Sequence, residues 1–99
     1  MEFQVGKADG AAVLRIRGEL DAITSTDLRP ALERLLAERH ARIVVDLTNL
    51  RLIDSSGVGA LVFLYKKARE YGGLVSVTGT RDQPLSIFRL LRLDRVLFA

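Results

Sequence analysis

Hydrophobic and polar positions along the first twenty residues follow a pattern that predicts two strands. Residues 3–5 are a short strand candidate, and a turn-forming Ala-Asp-Gly cluster follows at residues 8–10. From residue 12 to residue 17 the side chains alternate between two faces, with the apolar residues of one face two apart. This period is typical of a half-buried strand, and Gly18 is expected to end it.

The next segment has the period of an amphipathic helix. Apolar residues recur at helical spacing from Leu28 to Leu36, with charged residues between them. Thr24 and Asp27 resemble a capping box at the start of this helix. Because Pro30 lies several residues inside that cap, we expect the regular helix to begin nearer Thr26 or to have a distorted first turn.

Residues 42–47 contain a continuous β-branched run, Ile43-Val44-Val45, that is typical of a central strand covered on both faces. A second helical pattern runs from Gly57 to about Tyr71 and stops at two glycines. Its outer face carries Ala60, Phe63 and Leu64 in addition to the buried stripe. Two interpretations are open: a third helix packs over this face, or Phe63 and Leu64 form an exposed patch for a partner.

The last third of the chain predicts one more strand and one more helix. Residues 74–78 form the strand, residues 82–92 form a helix with proline in its first turn, and residues 96–98 form a final strand or a docked tail. Strands separated by single helices indicate parallel crossover units. We therefore expect one domain over residues 1–99, with an α/β fold and a mixed, mostly parallel sheet of about four to five strands with helices packed on it.

The amino-acid composition excludes most kinds of catalytic site. The chain has no cysteine and one histidine, His40, which excludes thiol chemistry and zinc sites built from Cys and His. A serine hydrolase would require His40 to reach Ser55, and no phosphate-loop or nucleophile-elbow spacing is present. We therefore expect that the protein is not an enzyme and that it holds neither a cofactor nor a metal ion.

The segment that carries chemistry is Leu-Arg-Leu-Ile-Asp-Ser-Ser-Gly-Val-Gly at residues 50–59, between a central strand and a helix. Free backbone N–H groups and the dipole of the helix favour an anion there, either a bound phosphate or a phosphorylated serine. Asp and Ser are also the commonest N-caps, so a purely structural role explains the same residues.

Five short motifs are spread over nearly the whole chain. They are Gly18-Glu19-Leu20-Asp21, Val44-Val45-Asp46-Leu47, Ile53-Asp54-Ser55-Ser56-Gly57-Val58-Gly59, Gly72-Gly73 and Leu93-Asp94-Arg95-Val96. Together they resemble a STAS domain, and the similarity is greatest to the single-domain bacterial anti-sigma factor antagonists.

This resemblance implies a binding switch. The unphosphorylated antagonist would capture an anti-sigma factor serine kinase of the GHKL type and free the sigma factor. The kinase would then phosphorylate the first serine after the motif aspartate, and a PP2C-type phosphatase would reset the switch. By position that serine is Ser55, with Ser56 as the alternative. The residues expected to meet the partner are Asp21, Asp54, Ser55, Ser56, Gly57, Val58, Gly59 and Phe63.

The chain departs from the family pattern in two places. The family typically continues into a further C-terminal helix, which we expect to be absent or removed because this sequence ends at Ala99. The family often has glycine where this chain has Arg92, so we expect the third helix to run on or to end under strain.

Two other functions remain open. One is a STAS subunit of a lipid-trafficking ABC transporter, which would dock on the ATPase. The other is nucleic-acid binding, suggested by a net charge of +3. Residues 1–65 carry eight basic and nine acidic side chains, whereas residues 66–99 carry seven and three. The basic surplus is therefore C-terminal. Because the six aromatic residues are mostly at core-like positions, we expect no direct nucleic-acid contact.

No targeting signal or membrane-length apolar run is visible, so we expect a cytoplasmic protein without membrane insertion.

Overall fold

The computed structural model describes residues 1–98, within which the chain forms five strands and four helices. In order these are β1 (Glu2–Ala8), β2 (Ala11–Leu20), α1 (Ala22–Ala37), β3 (Arg42–Asp46), β4 (Leu50–Ile53), α2 (Ser55–Glu70), β5 (Leu74–Thr78), α3 (Asp82–Leu90) and α4 (Asp94–Leu97). The predicted α/β class and mostly parallel sheet are confirmed.

Strand β2 is the centre of the sheet. A two-residue turn at Asp9 and Gly10, with φ angles of 53° and 81°, joins it to antiparallel β1. Residues 12–15 of β2 pair in parallel with β3, and residues 18–20 pair in parallel with β4. Strand β5 lies beyond β3, so the order across the sheet is β1-β2-β3-β5.

Strand β4 is an element that the sequence pattern does not predict, because the pattern places residues 50–53 only in the segment between a central strand and a helix. Only its first and last residues, Leu50 and Ile53, are buried, so it lacks the alternation of a half-buried strand. Its partner is the C-terminal part of β2, beyond a register shift between Gly18 and Glu19. Gly18 therefore does not end β2, which continues to Leu20.

The core lies on one face of the sheet. Leu14, Val45 and Val77 are fully or almost fully buried there, under the helices. The opposite side chains of β3, Val44 and Asp46, are only half-buried. The expectation that this strand is covered on both faces was therefore wrong, although the β-branched run did identify the strand.

Helix α1 begins earlier than predicted. Its N-cap is Asp21, whose carboxylate accepts hydrogen bonds from the N–H groups of Ile23 and Thr24 at 3.0 and 2.9 Å. The Thr24 hydroxyl accepts from the Asp21 N–H at 2.8 Å, which completes a capping box one turn before the predicted pair of Thr24 and Asp27. Pro30 lies inside the helix without ending it.

Helix α3 ends at Leu90 rather than running to Arg92. Arg92 has a φ of 60°, the left-handed conformation that glycine adopts more easily. The Arg92 and Leu93 N–H groups donate to the carbonyls of Arg89 and Phe88 at 3.0 and 2.9 Å, which is a complete Schellman motif. The strain expected at this helix end is therefore present at one residue.

The final apolar segment is a docked tail. Its first two residues, Val96 and Leu97, belong to the short helix α4, and Leu97 is buried. Phe98 then forms a single parallel bridge with Val77 of β5 and packs against Phe88 at a ring distance of 5.7 Å.

Candidate functional site

Two helix N-termini meet at one corner of the sheet. The parallel pairing of β2 with β4 places Leu20 opposite Ile53, and the Asp54 N–H donates to the Leu20 carbonyl at 3.1 Å. The next residue of each strand, Asp21 and Asp54, is the N-cap of the helix that follows. Helices α1 and α2 therefore start side by side, each behind a carboxylate.

The Asp21 carboxylate is held by hydrogen bonds from the first turn of α1. The Thr24 N–H, followed by the Thr24 hydroxyl, stabilises the carboxylate and lowers the pKa of Asp21 below its ordinary value of 3.8. Asp21 is consequently ionised at neutral pH and contributes a negative charge next to the start of α2.

Asp54 holds the start of α2 and leaves two serines exposed. Its carboxylate accepts from the Gly57 N–H at 3.0 Å. Ser55 and Ser56 occupy the first turn of the helix and are exposed. The first N–H groups of a helix have no intrahelical acceptor. Because Asp54 takes that of Gly57, the N–H groups of Ser55 and Ser56, together with the positive end of the helix dipole, are the ones available to an anion.

The two glycines of the motif have different roles. A Cβ on Gly57 would lie 2.7 Å from both the Leu20 carbonyl oxygen and Ile53 Cγ1. The absence of a side chain lets the first turn of α2 approach the ends of β2 and β4. A Cβ on Gly59 would have no neighbour within 4 Å, because this residue is exposed.

A shallow groove runs between the first turns of α1 and α2. Its walls are Ser25, Thr26 and Arg29 on one side and Ser56, Gly59 and Ala60 on the other. Ser56 and Gly59 thus border a recess that is open to solvent, whereas Ser55 is not among the residues that line it.

Phe63 lies under a side chain of α1. The Arg29 guanidinium is 3.7 Å from the centre of the Phe63 ring, and Arg29 also pairs with Glu33 at 3.2 Å. The helix packed along this face of α2 is α1, whereas α3 packs on β4. The prediction that a third helix covers it was therefore wrong, and so was the alternative of an exposed Leu64, which is fully buried.

The predicted partner residues divide by exposure. Those at the surface are Asp54, Ser55, Ser56 and Gly59, with Asp21 and Phe63 half-buried. Gly57 and Val58 are buried, so they support the first turn of α2 from below and offer no side chain to a partner.

Sequence reasoning missed two side chains of this region. Arg29 was assigned only to the charged face of its helix, because its contact with Phe63 joins two helices. Gln83 of α3 forms a pair of hydrogen bonds with the backbone of Ile53, accepting from its N–H at 2.9 Å and donating to its carbonyl at 2.8 Å. Glutamine in the first turn of a helix gave no signal of this role.

His40 lies at the far end of α1 from the serines. Both helices start at the same corner, and sixteen residues of α1 span about 24 Å. His40 instead contacts Glu38 at 2.8 Å. The geometry therefore rules out a hydrolase that pairs His40 with Ser55.

Residues 1–98 contain neither a metal-binding cluster nor a helix that could span a membrane. No group of three or more His, Cys, Asp or Glu side chains in this range is arranged to hold a metal ion. Across this part of the chain, no helix combines the length and apolarity needed to cross a membrane.

Comparison with known proteins gives a consistent picture. The family model described as "Mlab, STAS domain" matches residues 3–98. An anti-sigma F factor antagonist from Paenibacillus polymyxa is 36% identical over 78 residues, covering 78% of this chain and 67% of the relative. An anti-sigma factor antagonist structure from Mycobacterium paratuberculosis has a TM-score of 0.88 at 25% identity, over 97% of this chain and 81% of that one. The structure of SpoIIAA in its unphosphorylated form has a TM-score of 0.85 at 20% identity, over 98% and 86% of the two chains, and shares the fold.

Proposed function

Because the chain belongs to the STAS domain family, we propose that it is an anti-sigma factor antagonist that acts as a phosphorylation-controlled binding switch. In its unphosphorylated form it binds an anti-sigma factor serine kinase of the GHKL type, which releases its sigma factor. The kinase then phosphorylates Ser55, and a PP2C-type phosphatase removes the phosphate. The protein itself catalyses no reaction in this cycle.

The observation that carries this proposal is the position of the Ser55 hydroxyl. It is exposed at the first residue of α2, directly after the Asp54 cap. A kinase can reach it without unfolding the domain, and the free N–H groups of the first turn can hold the added phosphate.

In this proposal the charge of the added phosphate changes the affinity of the protein for the kinase. A phosphate adds about −1.5 to −2 charges at neutral pH. The corner already carries the carboxylates of Asp21 and Asp54, so the modification concentrates negative charge on the surface that binds the partner. The helix N-terminus stabilises the modified domain, while repulsion and lost fit weaken the complex with the kinase.

Phosphorylation by the cognate kinase tests the site. With ATP and the kinase, the protein should gain one phosphate per chain, as measured by intact mass. Ser55→Ala should abolish the gain, whereas Ser56→Ala, the matched control one residue on, should retain it. Full labelling of Ser55→Ala together with loss of labelling in Ser56→Ala would assign the site to Ser56.

Binding of the kinase tests the charge mechanism. Ser55→Asp should weaken the complex by at least about tenfold, because one desolvated charge repulsion costs more than 1.4 kcal/mol. Ser86→Asp introduces the same charge at an exposed position of α3 and should leave the affinity unchanged. Equal affinities for both variants, measured by calorimetry, would contradict the charge mechanism.

A second candidate function is favoured by the description of the matching family model, which names Mlab. The chain would then be the STAS subunit of a lipid-trafficking ABC transporter and would dock on the ATPase through the same corner, with no need for phosphate. Co-purification with a transporter ATPase, and none with a kinase, would favour this alternative.

A further inference from the structure

The outer edge of β1 has no partner strand among residues 1–98. In the hairpin, Ala8 and Ala11 flank a two-residue turn and form a hydrogen-bonded pair. Because such pairs alternate in an antiparallel ladder, the even residues of β1 bond to β2. The N–H and C=O groups of the odd residues Phe3, Val5 and Lys7 point away from the sheet.

This edge lacks the features that usually prevent strand pairing. It is seven residues long, its register with β2 is regular, it contains no proline, and its one lysine, Lys7, lies at the end of the strand next to the turn. The opposite edge of the sheet, at β5, is partly covered by the bridge between Val77 and Phe98. Of these two edges, within residues 1–98, that of β1 is the more open to a further strand.

Two side chains on the helix-covered face of this edge are large and apolar. Phe3 and Val5 are 38% and 50% exposed. They form one wall of a groove whose other wall belongs to α1, at Pro30, Ala31 and Arg34. A strand added here would cover apolar surface as well as satisfy backbone groups.

We propose that β1 pairs with β1 of a second copy of this chain, so that the sheet continues across a two-fold axis. An antiparallel pair related by such an axis places residues of the same face opposite each other. Centred on Gln4, the pairing puts Phe3 opposite Val5 of the second copy, and Val5 opposite Phe3. Both are apolar cross-strand pairs on the helix-covered side.

Charge on the other face complements this register. The pairing places Glu2 opposite Gly6 of the second copy. Gly6 has no side chain, and Arg15 Nη1 lies 3.8 Å from the position that its Cβ would take. Glu2 already pairs with Arg17 of its own chain at 3.3 Å. The second copy would add Arg15 to that pair, and the symmetry repeats the contact.

The experiment measures association and backbone protection together. Sedimentation equilibrium should show the average mass rise with concentration from 11.0 kDa towards twice that value. Over the same range, amide exchange should slow for the outward N–H groups of Phe3, Val5 and Lys7. The N–H groups of Gln4 and Gly6, already bonded to β2, should change little.

Charge substitution tests the register. Val5→Lys and Phe3→Glu should each weaken the dimer at least tenfold, because each places two charges in an apolar contact. The double variant should recover much of this loss, because the proposed register sets each new carboxylate opposite a new ammonium group of the other copy. Leu90→Lys is the matched control, since Leu90 is 79% exposed on α3, and it should leave the dimer intact.

Three outcomes would overturn the proposal. They are a mass that stays at 11.0 kDa up to millimolar concentration, a dimer that survives both single variants, and a dimer lost in Leu90→Lys instead. Ser55→Ala should dimerise normally, so failure of the proposed switch and failure of this interface are distinguishable.

Discussion

At the scale of single residues, Gly57 and Gly59 show how one motif serves two purposes. Gly57 is buried and in contact with the ends of two strands, so the fold depends on its missing side chain. Gly59 is exposed on the wall of the groove, where an added Cβ would have no neighbour within 4 Å. The first glycine is required by the fold, and the second lies on the surface that we propose a partner contacts.

Alanine substitutions should separate these two roles. Gly57→Ala should lower the free energy of unfolding by about 1–3 kcal/mol, because the Leu20 carbonyl and Ile53 must move away from the new methyl group. Gly59→Ala should raise it by about 0.5–1 kcal/mol, as expected for an exposed helical position. Urea denaturation measures both values.

Binding of the kinase completes the comparison. Gly59→Leu should fold normally and bind the kinase at least tenfold more weakly, since its side chain fills the groove. If Gly59→Leu binds as well as the unmodified protein, the groove is not part of the interface.

The residues of the site could be predicted where their roles are local. Asp54 and Ser55 are recognisable because an N-cap and the first turn of a helix have a sequence signature. Asp21 was identified by its motif, but its capping role was assigned to Thr24. Arg29 could not be predicted, because its place above Phe63 depends on how two helices pack.

At the scale of elements, β4 is the segment on which the corner depends. It is four residues long and pairs with β2. Gln83 of α3 occupies the backbone groups of Ile53 that a further strand would otherwise bond. Helix α3 thereby holds β4 in place, and Asp54 and Ser55 directly follow this strand.

Removing the Gln83 amide should loosen this strand. Gln83→Leu leaves the half-buried N–H and carbonyl of Ile53 without a partner, which should lower the free energy of unfolding by about 1–3 kcal/mol. Gln83→Glu keeps the acceptor for the N–H but turns a carboxylate oxygen towards the Ile53 carbonyl in place of the amide donor, so it should protect the N–H without restoring the full stability. Amide exchange of Ile53 should accelerate more in Gln83→Leu than in Gln83→Glu. Unchanged exchange in both would contradict the role assigned to Gln83.

Long periodic elements were predictable and short ones were not. The stripes of α1 and α2 have enough residues for a period to be visible, and the apolar runs of β3 and β5 identify these strands by their residue types. Four-residue elements such as β4 and α4 do not, because their structure comes from what they pack against. The left-handed conformation of Arg92 also depends on packing, because the chain must turn there for the tail to dock beside β5.

At the scale of the whole molecule, the charges are unevenly distributed. The acidic corner comprises Asp21 and Asp54, whereas the surplus of basic residues lies on the end of α2 and on α3 and α4. Within residues 1–98 no charged or polar residue is buried in the core. The pH dependence of stability should therefore come from carboxylates at the surface.

Acid should destabilise the fold through two such groups. The pKa of Asp21 is lowered by Thr24, and the pKa of Asp46 is lowered by the hydroxyl and N–H of Thr48 and by Arg15. A carboxyl whose pKa is lower in the folded state stabilises it above the unfolded pKa of 3.8 and loses that contribution as the pH falls through the folded value. The free energy of unfolding should hence be flat from pH 7 to about pH 5 and decline below pH 4.

Matched amide variants test this assignment. Asp21→Asn keeps a capping oxygen but cannot be protonated, so its urea midpoint should fall less between pH 5 and pH 3 than that of the unmodified protein. Asp27→Asn removes an exposed carboxylate of the same helix that caps nothing, and its midpoint should follow the unmodified protein. Identical declines for both variants would mean that the cap does not govern acid stability.

The sheet order has a consequence for anything attached to this chain. Residue 2 lies on the β1 edge, and residue 98 lies on the far side of β5, four strand spacings or about 19 Å away across the sheet. A tag or fusion joined before Met1 therefore crowds the strand proposed to meet a second copy, whereas one joined after the docked tail emerges at the other side. Labelling and tethering experiments should use the second position, since the first would interfere with the contact being measured.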